Sequence, residues 1–135
     1  MAPLILLDTH ILVWLYGGHR GLIPVGVQDR LNRERLAVSP FVQLELAYLY
    51  EVGRVRVPAP AVIDELSTRL ELTIVDAGAA AVCIAALGLT WTRDPFDRLL
   101  AAHASVMGLA LVTKDEAIRK HLPLAWWSDD SYRSI

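Results

Sequence analysis

One cysteine, Cys83, stands in the whole chain, so no internal disulfide can form and a cysteine-built metal cluster is excluded. Placed among Ala and Ile, it is expected to be a small buried apolar residue. Positive charge is not in excess either: 13 Lys and Arg stand against 15 Asp and Glu, a formal net charge of −2. A role on nucleic acid through bulk electrostatics is thereby excluded, and any such role has to come from a local site. No apolar run is long enough for a membrane-spanning helix. The least polar stretch, residues 77–92, is rich in Ala and Gly and is closed off by Asp76 and Arg93, so a buried helix is expected there instead. The amino terminus lacks a basic region, and Asp8 interrupts its first apolar run, unlike a secretory signal. The expectation is a cytoplasmic protein with no membrane contact. Internal repeats and low-complexity segments are also missing.

What the chain has is apolar residues, 54% of the total, with a mean hydropathy of +0.38. In 135 residues this suits one domain over residues 1–135 around one core, because no stretch is long and polar enough to be a linker. So much apolar surface on a small domain also implies that another chain covers part of it.

The apolar residues alternate between two patterns. Leu4 to Leu7 is a short continuous run, as in a strand buried on both faces of a parallel sheet, and similar short strands are expected at residues 36–38, 72–75, 109–112 and 124–127. Between them lie helical segments. Residues 10–16 end at Gly17 and Gly18, and residues 25–35 follow Pro24. A third helix starts at Ser39 and Pro40, a serine cap with proline in the first turn, and runs to about Val52. Further helices are expected from about Pro60, over 77–87, 95–107 and 115–121. Strands alternating with helices give an α/β domain with a mainly parallel sheet. In such sheets ligands bind beyond the carboxyl ends of the strands, which directs attention to Asp8 and Asp115.

Each of these carboxylates also has a structural role open to it. Asp8 can cap the helix after it. Thr113 and Glu116 have capping-box spacing, which leaves Asp115 as a favourable charge in a first helical turn. Asp94 is an ideal cap before Pro95, with Asp97 in the following turn. Glu45 is different. Its helical neighbours are Phe41, Val42, Tyr48 and Leu49, and an ionised, unpaired carboxylate in an apolar stripe costs several kcal/mol, to order of magnitude. It calls for either a buried polar partner or several carboxylates converging on a divalent cation.

Four segments, Leu6-Leu7-Asp8-Thr9-His10, Val42-Gln43-Leu44-Glu45-Leu46, Arg93 to Leu100 around Asp94-Pro95-Phe96-Asp97, and Leu111-Val112-Thr113-Lys114-Asp115, together resemble the PIN-domain ribonucleases. Within that family the likeness is to the VapC-type toxins of type II toxin-antitoxin pairs. The resemblance covers nearly the whole chain. It implies a PIN-like α/β/α sandwich with a central, mainly parallel five-stranded sheet, and a metal-dependent endoribonuclease using Mg2+, with Mn2+ as a substitute. It also implies RNA as substrate, a homodimer, and a small cognate antitoxin as partner. Asp8, Glu45, Asp97 and Asp115 match the family's acidic quartet, with Asp8, Asp97 and Asp115 as the expected metal ligands. Asp94 and Thr113 match accessory positions.

Divalent metals supply what phosphodiester hydrolysis needs: a nucleophilic water, charge neutralisation and help for the leaving alkoxide. Oxygen ligands without a Cys or His cluster favour Mg2+ or Mn2+ over zinc. Arg93, Arg98 and Lys114 give the acidic residues a basic border suited to phosphates, or are ordinary surface charges. Trp14, Trp91, Trp126 and Trp127 offer stacking surfaces, although packing accounts for most of them. His10 and His103 have no ligand spacing and read as packing or hydrogen-bonding residues. A dehalogenase-type phosphatase needs a second acid where His10 stands, and a receiver domain needs an acidic pair that is missing. The remaining rival is an inactive PIN-like module acting only through a regulatory protein complex.

Overall fold

A computed structural model describes residues 2–128. Its centre is a five-stranded sheet formed by β1 (Leu4–Leu7), β2 (Arg35–Val38), β3 (Thr73–Ile74), β4 (Leu111–Val112) and β5 (Ala125–Trp126). The strand order is β3-β2-β1-β4-β5, and every pairing is parallel, with Ile5 beside Leu36 and Leu6 beside both Ala37 and Leu111. Each parallel neighbour requires a crossover, and helices supply them. They are α1 (Thr9–Tyr16), α2 (Val25–Arg33), α3 (Pro40–Glu51), α4 (Ala59–Leu70), α5 (Ala79–Leu87), α6 (Pro95–Met107) and α7 (Glu116–His121), with one 3-10 turn over Arg20–Leu22. No helix among the described residues is long and apolar enough to cross a membrane.

Consecutive residues Ile5, Leu6 and Leu7 are all buried, as are Leu111 and Val112. Because successive side chains of a strand point to opposite faces, the central strands are covered on both sides. The α/β architecture with a parallel five-stranded sheet is therefore as the sequence implies. The chain builds outward from β1 through β2 to β3, then returns across the sheet to β4 on the other side of β1. The order thus reverses between β1 and β4, and in sheets of this kind a ligand crevice lies beyond the carboxyl ends of the two strands at the reversal.

Local signals account for most helix ends. Ser39 caps α3 by accepting from the Phe41 N–H at 3.4 Å, and Gly108, with φ of 65°, ends α6 in the left-handed conformation that glycine adopts freely. Helix α2 stops at Arg33, short of the expected Arg35, because β2 already claims Arg35. A larger departure concerns α5. Only its Val82 and Ala86 are buried, packed with Ala102 of α6, while Ile84 and Leu87 are 70% and 75% exposed and Cys83 is exposed. The expected buried helix and buried cysteine are not found. Apolar composition shows that a helix seeks cover, and it does not show that its own chain provides the cover.

Helices α3 and α6 are tied by a buried polar contact. His103 of α6 places Nδ1 2.8 Å from Ser39 Oγ and Nε2 3.2 Å from Met107 Sδ. Burial lowers the imidazole's pKa, against a smaller opposing effect of Asp76, so the neutral ring is favoured. The hydrogen-bonding role expected of His103 is met. Replacing Ser39 with Ala removes a cap and leaves His103 Nδ1 without its partner. Urea unfolding of Ser39→Ala is expected to show a loss of about 1–3 kcal/mol, and a loss under about 0.5 kcal/mol would contradict the contact's role.

Candidate active site

Asp8 follows β1 directly. Its backbone N–H donates to Val112 O of β4 at 3.0 Å, which fixes it between the two central strands where the sheet order reverses. Although Asp8 stands at the start of α1, its side chain makes no capping hydrogen bond. Oδ2 instead accepts from Thr113 Oγ1 at 2.6 Å. The buried Thr113 hydroxyl also accepts from the Asp115 N–H at 3.1 Å, and Asp115 caps α7 by accepting from the Ile118 N–H at 2.9 Å. The capping box expected of Thr113 and Glu116 is thus replaced: the buried carboxylate of Asp8 recruits the threonine hydroxyl, and Asp115 takes over the cap.

Glu45 lies on α3 with Val42 and Leu49 buried on either side of it. Its anomalous position has a partner, the hydroxyl of Thr9, which donates to Oε1. Thr9 is completely buried and adjoins Asp8, so one dipeptide reaches both carboxylates. Asp94 caps α6, accepting from the Phe96 and Asp97 N–H groups at 2.8 and 3.2 Å. Asp97 occupies the first turn of that helix. Asp8, Glu45, Asp94, Asp97 and Asp115 all line one cleft of about 490 Å3. Four separate segments of the chain are therefore brought to one crevice.

A PIN domain model matches residues 5–121 of this sequence. The chain belongs to the PIN domain family. It is 31% identical over 119 residues to Ribonuclease VapC22 of Mycobacterium tuberculosis, which spans 87% of this chain and 91% of that protein. It is 29% identical over 117 residues to the tRNA(fMet)-specific endonuclease VapC of Shigella flexneri, across 82% and 85% of the two chains. The fold recurs in the structure of VapBC2 from Rickettsia felis bound to a DNA fragment from their promoter, with a TM-score of 0.65, 21% identity, and coverage of 93% and 99%. It recurs also in a toxin-antitoxin complex from Klebsiella pneumoniae, with a TM-score of 0.64, 19% identity, and coverage of 90% and 95%.

In this PIN domain, burial is the main influence on the cleft carboxylates, with like charges adding to it. Burial raises the Asp8 pKa against the opposing Thr113 hydrogen bond. Burial likewise raises that of Glu45, partly offset by the Thr9 hydroxyl. Asp97 is pushed up to about 7, first by burial and then by the charges of Asp94, Asp115, Asp8 and Glu45. The donor set is entirely carboxylate oxygen, which suits a hard divalent cation. Among the described residues no three His, Cys, Asp or Glu side chains are drawn together into a ligand set.

Of the expected basic border, Lys114 lines the cleft, whereas Arg93 and Arg98 are not among its lining residues. Arg98 donates from Nε to Thr92 O at 2.8 Å, bracing the loop before Asp94. Trp91 stacks on His121 at a centroid distance of 5.0 Å, and Trp126 lies under Arg30 at 4.5 Å, in keeping with packing roles. His10 is exposed and lines the cleft together with Trp14 and Arg54. Thr9 and Arg54 are further residues that the fold brings to the site. Thr9 carried a signal, since a hydroxyl beside a strand-end aspartate can reach a neighbouring carboxylate, while Arg54 carried none.

A carboxyl group whose folded-state pKa exceeds its unfolded value gains protons on folding, so its stabilising effect is present in acid and is lost as pH rises. For Asp97 that window runs from 3.8 to about 7. In EDTA, the melting temperature is expected to fall by roughly 3–8 °C between pH 5 and pH 7.5, and Asp97→Asn should remove most of the slope. Identical slopes in the two proteins, followed by circular dichroism, would refute the assignment.

Proposed function

We propose that this protein is a VapC-type endoribonuclease, a single nuclease domain over residues 1–135 that acts in the cytoplasm as the toxin of a toxin-antitoxin pair. The observation that carries this reading is the convergence of Asp8, Glu45, Asp97 and Asp115 in one cleft at the reversal point of the sheet. Its similarity to VapC22 and to the tRNA(fMet)-specific endonuclease supports the same activity.

Asp8, Asp97 and Asp115 are the residues that would hold Mg2+, or Mn2+ in its place, with Asp94, which lines the same cleft, as an accessory. The ion supplies charge neutralisation at the phosphoryl oxygens and an activated water. The chain's own residues do the positioning. Thr113 fixes the Asp8 carboxylate and, through the Asp115 N–H, the start of α7. Glu45, aligned by Thr9 and carrying a pKa raised by burial, is suited to orient a water and to accept its proton. Lys114, which lines the cleft, is the phosphate contact, and Arg98 acts on the loop before Asp94 rather than on the substrate.

The relatives of known structure include toxin-antitoxin complexes, which supports a small antitoxin as partner. The exposed apolar residues of α5 support a homodimer, since a helix with so little charge is covered in most proteins.

The test is incubation of the purified protein with cellular RNA and Mg2+. Cleavage is expected, with EDTA abolishing it and Asp8→Asn or Asp97→Asn each lowering the rate by about 100-fold or more. Undiminished cleavage in either variant, or in EDTA, would contradict the assigned site.

A further inference from the structure

The cleft has an apolar half that the carboxylates do not explain. Tyr48 stands one helical turn beyond Glu45 on α3, and Phe96 immediately precedes Asp97 on α6. Their rings meet at a centroid distance of 5.9 Å with an interplanar angle of 39°, and both line the cleft. Phe96 is half-buried, yet Tyr48 remains 50% exposed, so half the surface of an aromatic residue stays open in the cleft that holds the acidic residues. Contact between α3 and α6 accounts for the Phe96 ring and leaves the open face of Tyr48 without a function.

Charge in the cleft is arranged to match. Arg54 and Lys114 line it with the five carboxylates, yet among the described residues neither forms an ion pair with any of them, the ion pairs there being Arg30 with Glu34 and Arg69 with Glu65. Two cations thus stay available to an incoming anion. A volume of about 490 Å3 falls within the roughly 300–1,000 Å3 range of organic ligand sites and exceeds what one hydrated ion requires.

We infer that Tyr48, backed by Phe96, is a stacking seat for one nucleobase of a single-stranded RNA, next to the phosphate that is cut, with Arg54 holding a neighbouring phosphate. Every base has a π-face, and single-stranded RNA is held by stacking on aromatic rings combined with cationic contacts to the backbone. A duplex keeps its bases stacked on each other and cannot use the seat. This inference rests on the ribonuclease reading above, and the two fail separately.

The probe is a single-stranded oligoribonucleotide of mixed sequence carrying 2-aminopurine, whose fluorescence is quenched when the base stacks. It is added with Mg2+ to the full chain bearing Asp97→Asn, so that binding is read without turnover. Quenching is expected. Adding Tyr48→Leu, which keeps an apolar side chain but removes the ring, should abolish the quench and weaken binding about 5- to 150-fold, whereas Tyr48→Phe should preserve the quench. Phe96→Leu provides a second variant if the first melts early. Absence of quenching in the Asp97→Asn protein, or an unchanged quench and affinity with Tyr48→Leu, overturns the seat. So does loss of antitoxin binding in Tyr48→Leu with RNA binding intact, because the ring then serves a protein partner. If the wild-type chain does not cut RNA while the quench behaves as described, the ribonuclease reading fails and the seat stands. If the wild type cuts and Tyr48→Leu changes neither KM nor nucleotide preference beside the cut, the seat fails and the ribonuclease reading stands.

Discussion

Like charges held together at the end of a buried sheet are the constraint to which the rest of this structure answers. Asp8 is fixed by the backbone pairing of β1 with β4, in the same cleft as Glu45, Asp97 and Asp115. Burial and mutual repulsion both favour the protonated forms, and Asp97 shows the result most clearly. Such a cluster destabilises a fold on its own account. In the proposed function, a hard divalent cation would offset that charge, and a polyanionic substrate would occupy the cations that line the cleft.

The supporting contacts follow from that constraint. Two of the carboxylates each receive a buried threonine hydroxyl, Thr113 for Asp8 and Thr9 for Glu45. The helices bearing Glu45 and Asp97 are joined at a distance from the charges by Ser39 and His103. Hydroxyls and a neutral imidazole can orient acidic elements without adding net charge to the interior. Aromatic surface borders the charged half of the cleft on α3 and α6, contributed by Tyr48 and Phe96.

Different parts of this arrangement were legible to different degrees. Strand order follows from no periodicity, but the continuous apolar run of β1 and the alternation of strands with helices announced a parallel sheet, and the rule for strand ends singled out Asp8 and Asp115. Glu45 was visible because an acid among Phe41, Val42, Tyr48 and Leu49 is costly without a partner. Its actual partner, Thr9, lies 36 positions away, and such pairs become apparent only when the chain is folded. Asp94 reads as a cap and is one, while also lining the cleft, so the structural and functional roles of an acidic residue are not exclusive. Cys83 and α5 were misread as interior because hydropathy reports a preference for cover and is silent about which chain supplies it.

By itself the sequence determined the α/β class, the positions of most elements, the four acidic segments and the PIN-domain resemblance, because these depend on residue type and short-range spacing. Only the tertiary structure decided that the four segments meet in one crevice, that Thr113 serves Asp8 in place of a helix cap, that Arg54 and Tyr48 face the same cleft, and that α5 stands open to solvent. Those outcomes depend on the reversal of strand order between β1 and β4 and on contacts between residues far apart in the chain. Local propensity does not encode them, and long-range packing does.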